Sequence, residues 1–425
     1  MTPARIVIIN DSTNATGGAT SLALKSAQLL SDAGHQVTFV TGDEGSRESL
    51  PDTVEVAALG GKSLLDLPMR QRIPKGLYNL QASRFVSRVI SELDSPDVVY
   101  HLHGWAQTLS PSILAPLRKV QDRLVIHAHD FFHACPNGTY FNFQTESVCH
   151  LKPLSSQCLR TNCDKRSASQ KAFRTVRMLL KNQILDMGNT RALVAVIHPF
   201  MTDWMARAGI DGAQVRVVRN PVQPFRTDRV KAEANSDLFF IGRLEPEKGA
   251  ELAAQAARSA GRRLRVIGEG TERKRLEAQY PEFVWEGWRS HTEIARLIVY
   301  ARGLIMPSRL PEPFGLVSLE AIHSGVPLVA FADSFVAREA ADLGCAFVAS
   351  ERRPEALAAA VRALDEDHVV ERASKVAFTQ ARDLSNSPEQ WRDQLLSLYG
   401  ELLISSHAAY SRQPVPPKQE LGWTD

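Results

Sequence analysis

Short apolar, β-branched runs alternate with amphipathic stretches along this chain. Arg5 to Asn10 (RIVIIN) reads as a strand, and Thr20 to Ala33 as a helix closed by Gly34. Further strands are expected at Gln36 to Thr41, Asp97 to His101, Arg123 to His127 and Ala192 to Ile197. The second half is more regular. Strands at Asp237 to Gly242, Leu264 to Gly268, Phe283 to Glu286, Gly303 to Pro307, Pro327 to Phe331 and Ala346 to Ala349 alternate with helices. Those helices fall near 248–260, 272–280, 291–301, 316–324, 334–342 and 353–365. Such alternation predicts α/β units with parallel sheets covered on both faces, hence doubly wound domains. Asn220 to Ser236, with two prolines and little apolar content, reads as the link between them. The expected division is 1–222, 223–385 and a C-terminal helix and tail over 386–425. That last part packs back on the N-terminal domain in this reading. The Pro-rich tail Gln413 to Asp425 reads as frayed.

Composition narrows the class. With 425 residues, 44% hydrophobic and 23% charged, the chain is globular and long enough for two or three domains. A net charge of +3 is too mild for nucleic acid as the main partner. No secretory signal opens the sequence, and no apolar run approaches the ~18 residues of a membrane span. A cytoplasmic location is therefore expected, with the five cysteines reduced.

In open parallel sheets, ligands gather beyond the carboxyl ends of the strands, so the strand-to-helix loops are where chemistry is sought. Gly242-Arg243-Leu244-Glu245-Pro246-Glu247-Lys248-Gly249 leaves a strand and opens a helix. Helix starts attract anions, and Arg243 with Lys248 could neutralise a diphosphate; the alternative is two solvated surface charges. Ser308 to Gly315 leads into the helix Leu316 to His323, with Glu312 in the loop and Glu320 about a turn into the helix. The two carboxylates could meet a sugar and a ribose, or be an exposed acid and a first-turn acid favoured by the helix dipole. Asn14 to Ala19 holds Gly17 and Gly18, a functional loop or a plain tight turn; it lacks the G-x-G-x-x-G pattern, despite Asp43 and Glu44 further on. In His127-Ala128-His129-Asp130, His127 reads as strand packing and His129 as facing a ligand, with structural filling open for both.

The ordered combination resembles the retaining glycosyltransferases of family GT4, which have the GT-B fold. Its order is a Gly-Gly loop, His-Asp, Gly-Arg-x4-Lys-Gly, then Glu-x7-Glu. FFIGRLEPEKG, VIGEG, EGW and PSRLPEPFGLVSLEAIHSGVPLVA follow the family's sequence of motifs. The resemblance implies two Rossmann-like domains facing a central cleft, with a nucleoside-diphosphate sugar as donor. The acceptor would be a hydroxyl of a glycan, a lipid-linked molecule or a small molecule, in cell-surface polysaccharide or glycoconjugate synthesis. It gives Arg243 and Lys248 the diphosphate, Glu320 the ribose, Glu312 the donor sugar and His129 the reacting sugar. Gly17 and Gly18 fall on the phosphate side, and Phe314, Gly315 and Leu316 join the donor-binding set. It implies no cofactor for catalysis. Asn220-Pro221-Val222 and His323 before Ser324-Gly325 depart from the family's usual residues, which bears on donor choice. The same fold also serves nucleotide-sugar epimerases, and a catalytically dead sugar-nucleotide-binding module is a further reading.

Two features stand outside that set. Cys135, Cys149, Cys158 and Cys163 lie within 29 positions in an irregular insertion near 131–165. They read as a structural zinc site, as buried free thiols or as a redox-labile pair. Lys165, Arg166, Lys171, Arg174, Arg177 and Lys181 have no acid between Asp164 and Asp186. Four of them recur at helical spacing, which permits peripheral docking on an anionic membrane at its inner face, or a solvated helix face.

Overall fold

The computed structural model describes residues 1–14 and 17–410, so Ala15 and Thr16 of the glycine loop and the tail Gln413 to Asp425 lie outside it. The strands are β1 Arg5–Asn10, β2 Gln36–Thr41, β3 Glu55–Ala58, β4 Val98–Leu102, β5 Leu124–Ala128, β6 Phe141–Asn142, β7 Ser147–Val148, β8 Leu193–Val196 and β9 Val215–Val217. They continue as β10 Asp237–Ile241, β11 Leu264–Ile267, β12 Val284–Gly287, β13 Ala301–Met306, β14 Leu328–Phe331 and β15 Ala346–Ala349. One sheet has the order β3-β2-β1-β4-β5-β8-β9 and another β12-β11-β10-β13-β14-β15, while β6 and β7 form a small hairpin. The pairings of β1 with β2 and β4, and of β10 with β11 and β13, are parallel.

The apolar runs explain these sheets. Ile6, Val7 and Ile8 have no exposed surface, nor have Leu238 and Phe239 in β10. Strands buried on both faces need helices on both sides, which the intervening segments supply. Around β10 and β11 the core is filled by Leu244, Leu252, Ala253, Ala257, Leu276 and Leu357 among others.

Strand order then fixes where a ligand can sit. In the C-terminal sheet the chain runs from β10 outward to β12, then returns to β13 on the other side. The order reverses between β10 and β13, and a crevice opens at the carboxyl ends of such neighbours.

Contacts divide the chain into two compact units that do not follow chain order. Among the described residues, one holds Met1–Ile126, Ile184–Leu193 and the chain from Gln394 on; the other holds His127–Gln183 and Val194–Asp393. Within the first, Asp11 accepts backbone N–H bonds from Gln107, Thr108 and Leu109. Asp43 accepts from Ser12 Oγ, Thr13 N, Thr41 Oγ1 and Gly45 N, so its carboxylate staples the ends of β1 and β2. Tyr399, in the helix Pro388–Tyr410, bonds His101 Nδ1 through its hydroxyl at 2.7 Å.

The basic helix is a correction to the outward cationic face. In Ala168–Ile184 the buried residues include Lys171, Arg177 and Lys181, while Val176 and Leu179 are exposed. Lys181 donates to the His133 carbonyl, Arg174 pairs with Asp164, and Arg177 lies over the Phe132 ring. Helical spacing identified the residues sharing a face, but that face turns inward, where cations find acceptors. Among the described residues no helix is long and apolar enough to cross a membrane.

Candidate active site

The loop after β10 is set by backbone contacts before any side chain is considered. Leu244 N donates to Glu269 O, a short 3-10 turn runs Pro246–Lys248, and the helix Ala250–Ser259 follows from Gly249. Gly249 has φ 74°, and a Cβ there would stand 2.2 Å from the Pro307 carbonyl. The loop is thus pressed against the end of β13, and Arg309 N donates to Glu247 O at 2.8 Å.

This approach joins the two charged loops. Lys248 Nζ donates to Glu312 at 2.9 and 3.1 Å, and Ser308 Oγ adds a bond at 2.9 Å. Burial pushes the Glu312 carboxyl upward, but Lys248, Ser308 and the nearby Arg243 charge outweigh it. The group is held below the usual carboxylate range. Arg243 itself is exposed. Phe335 N donates to the Glu312 carbonyl at 3.3 Å, which fixes the loop from its other side. Phe314 is buried and anchors the loop in the core, Gly315 caps the helix Leu316–Ile322, and Glu320 lies partly buried within that helix.

The remaining expected residues fall as follows. His127 is buried and stacks on His129, rings 4.3 Å apart and 5° from parallel. Burial pushes His129 down to about 3, so its imidazole is neutral at neutral pH. Gly17 is the exposed N-cap of the helix Gly18–Asp32, with open space where a Cβ would stand. Its φ of −153° is ordinary extended backbone, so glycine there leaves room and meets no conformational need. His323 is buried and bonds the Ala381 carbonyl, and Asn220 with Val222 bonds the Asn386 backbone, so both departures from the family pattern serve packing.

Several contributors to this region escaped the sequence. Lys165 Nζ reaches Glu247, next to Lys248, at 2.7 Å, and Glu146 accepts from Arg309 at 2.7 Å. The cysteine-bearing insertion therefore grips both charged loops. Arg352 bonds the Ser308 carbonyl and Asp333. Glu339 is held by His198 and by both terminal nitrogens of Arg219. Burial raises the Glu339 carboxyl, but these partners bring it down to about 2.

Two charged strand-to-helix loops are thus locked together at the reversal point of a parallel sheet, where ligands of such sheets gather. Comparison with known proteins gives the family. The profile "Glycosyltransferase Family 4" matches residues 16–226, and "Glycosyl transferases group 1" matches residues 223–379. Together they take in most of the chain, which belongs to this family of glycosyltransferases. Glycogen synthase of Mycobacterium tuberculosis is 32% identical over 273 residues, covering 60% of this chain and 63% of that protein. The chain thus spans less than two thirds of that relative's length. A GDP-mannose-dependent alpha-mannosyltransferase of the same organism is 35% identical over 91 residues, 21% of this chain and 24% of that one. Sucrose-phosphate synthase from Thermosynechococcus elongatus superposes with a TM-score of 0.69 at 16% identity, over 94% of this chain and 99% of that one. Anabaena HepE, solved with UDP-glucose, gives 0.60 at 17% identity, over 93% and 99%. The fold is GT-B.

Proposed function

We propose that the chain moves a glycosyl group from a nucleoside-diphosphate sugar to a hydroxyl acceptor, with retention at the anomeric carbon. The Lys248–Glu312 pair carries this reading: a cation for phosphate and a carboxylate for sugar hydroxyls stand in direct contact. As the bond from the anomeric carbon to the phosphate oxygen breaks, negative charge grows on the departing diphosphate. Arg243 and Lys248 neutralise it in place, which lowers the barrier because these charges need no reorganisation. Glu312, ionised at neutral pH, accepts from hydroxyls of the donor sugar, and Glu320 accepts from the ribose. Neutral His129 offers a hydrogen bond to the reacting sugar. The acceptor oxygen bonds to the anomeric carbon from the face the phosphate leaves, and its proton passes to the departing phosphate oxygen.

The names of the relatives support the donor class. One uses GDP-mannose, and the Anabaena structures hold UDP and UDP-glucose. The match to WaaG, a glycosyltransferase of lipopolysaccharide biosynthesis, supports a glycan or lipid-linked acceptor in cell-surface synthesis. Thermal shift against UDP, GDP, ADP and their sugars tests the site. One nucleotide family is expected to raise the midpoint of the wild type and leave Arg243→Ala and Glu320→Ala unmoved; no shift at millimolar ligand would sink the donor site. Retention is tested by NMR of the product, where an α-linked donor yielding a β-linked product overturns it.

A further inference from the structure

The insertion that grips the charged loops holds a second piece of chemistry. Lys171, only 5% exposed, extends its Nζ to Cys163 Sγ at 3.2 Å and Cys158 Sγ at 3.6 Å. Asn137 Nδ2 donates to Cys163 Sγ at 3.4 Å, while Cys135 Sγ donates to Asn137 Oδ1 at 3.1 Å. Burial works against the Lys171 ammonium, yet the sulfurs more than offset it and raise its pKa.

This arrangement does not suit zinc. No cysteine sulfur belongs to a group of three metal-donor atoms within 4.8 Å of one another among the described residues. A structural zinc needs four converging ligands, and an ammonium within bonding reach of two of them repels a dication placed there. The same ammonium donates to both sulfurs, and cysteines that react with oxidants sit beside such cations.

We infer that Cys158 and Cys163 are an oxidisable pair, joined by peroxide into a reversible disulfide under the control of Lys171. Cys163 has the shorter contact to Lys171 and a second donor in Asn137, so it is the attacking sulfur. Its thiolate attacks one peroxide oxygen, the O–O bond breaks, and hydroxide leaves to become water, giving a sulfenic acid. Cys158 then displaces that oxygen as hydroxide, which takes up a proton, and the S–S bond forms. In sum, two thiols and one peroxide give one disulfide and two waters, with two electrons passing from sulfur to peroxide. Cys158 lies in the middle of the short helix Ser156–Arg160 and Cys163 five residues on, so the bond closes a small loop. Lys165, the residue that reaches Glu247, is two positions further.

The test uses the full chain, reduced, freed of reductant and treated with hydrogen peroxide, then alkylated and mapped by mass spectrometry. A Cys158–Cys163 link lighter by two hydrogens and reversed by dithiothreitol is expected. Lys171→Met should form it about tenfold more slowly, by loss of the ammonium that contacts both sulfurs. Cys158→Ser should instead leave Cys163 as a sulfenic acid trapped by a cyclic 1,3-diketone, a readout that does not depend on the lysine variant folding. Both cysteines remaining alkylatable after treatment would overturn the inference. So would a link through Cys135 or Cys149, or one equivalent of zinc in untreated protein.

Discussion

Lys248→Met is expected to lower kcat/KM for glycosyl transfer by about 10²- to 10³-fold, the usual effect of removing one preorganised group that meets developing transition-state charge. Two losses combine. The departing diphosphate loses a cation, and Glu312 loses the partner that holds its carboxyl ionised. Much of the loss should appear in kcat, since charge on the leaving oxygen is largest in the transition state. Lys165→Met is the matched control. It also breaks a lysine–glutamate pair in this region, but its side chain is 42% exposed and screened by water. Its effect should stay within about threefold, the scale of a surface ion pair. Steady-state kinetics on both variants decides the matter: equal effects would remove Lys248 from the donor site.

Gly249→Ala should be a strongly damaging small change for stability. Its left-handed φ of 74° strains any other residue, and the added Cβ would stand 2.2 Å from the backbone oxygen of Pro307. That neighbour is main chain at the end of β13 and cannot turn aside. Strain plus displacement should cost about 3 kcal/mol, lowering the melting temperature by roughly 6–12 °C for a domain of this size. Gly344→Ala provides the comparison, with φ 90° and nothing within 4 Å of its Cβ, so that strain alone is felt. A cost near 1 kcal/mol is expected there. Calorimetry showing the same shift for both would mean that the loop after β10 relaxes away from β13.

How much of this was visible in the sequence depended on burial. Strands β10, β11, β13 and β14 were legible to within a residue or two, because near-continuous apolar runs have few other uses. The edge strand β3, EVAA, is only partly buried and carries no such run. The helix Met69–Leu77 was missed for a related reason: Pro74 lies inside it, and its apolar Met69 and Ile73 are 64% and 48% exposed. Lys248 and Glu312 were each legible as loop residues after a strand, but their contact was not, because it needs β10 and β13 to be neighbours. The clasps of Lys165 on Glu247 and Glu146 on Arg309 were not. They join positions 82 and 163 residues apart, across a path that no local pattern encodes.

The inward turn of the basic helix changes how the molecule looks electrically from outside. Lys171, Arg177 and Lys181 are buried there, as are Arg123 and Arg302, against only Asp164 and Asp237 among the described acids. Arg123 and Arg302 are neutralised by acids nearer the surface, Asp94 and Asp367, and the other three of these cations belong to the basic helix. Cations under the surface still add to the field that a distant anion feels, but they offer it no direct hydrogen bond. On the proposed function, direct contact with an anionic donor is left to Arg243 and Lys248 at the sheet's reversal point, acting within a Debye length of ~8 Å.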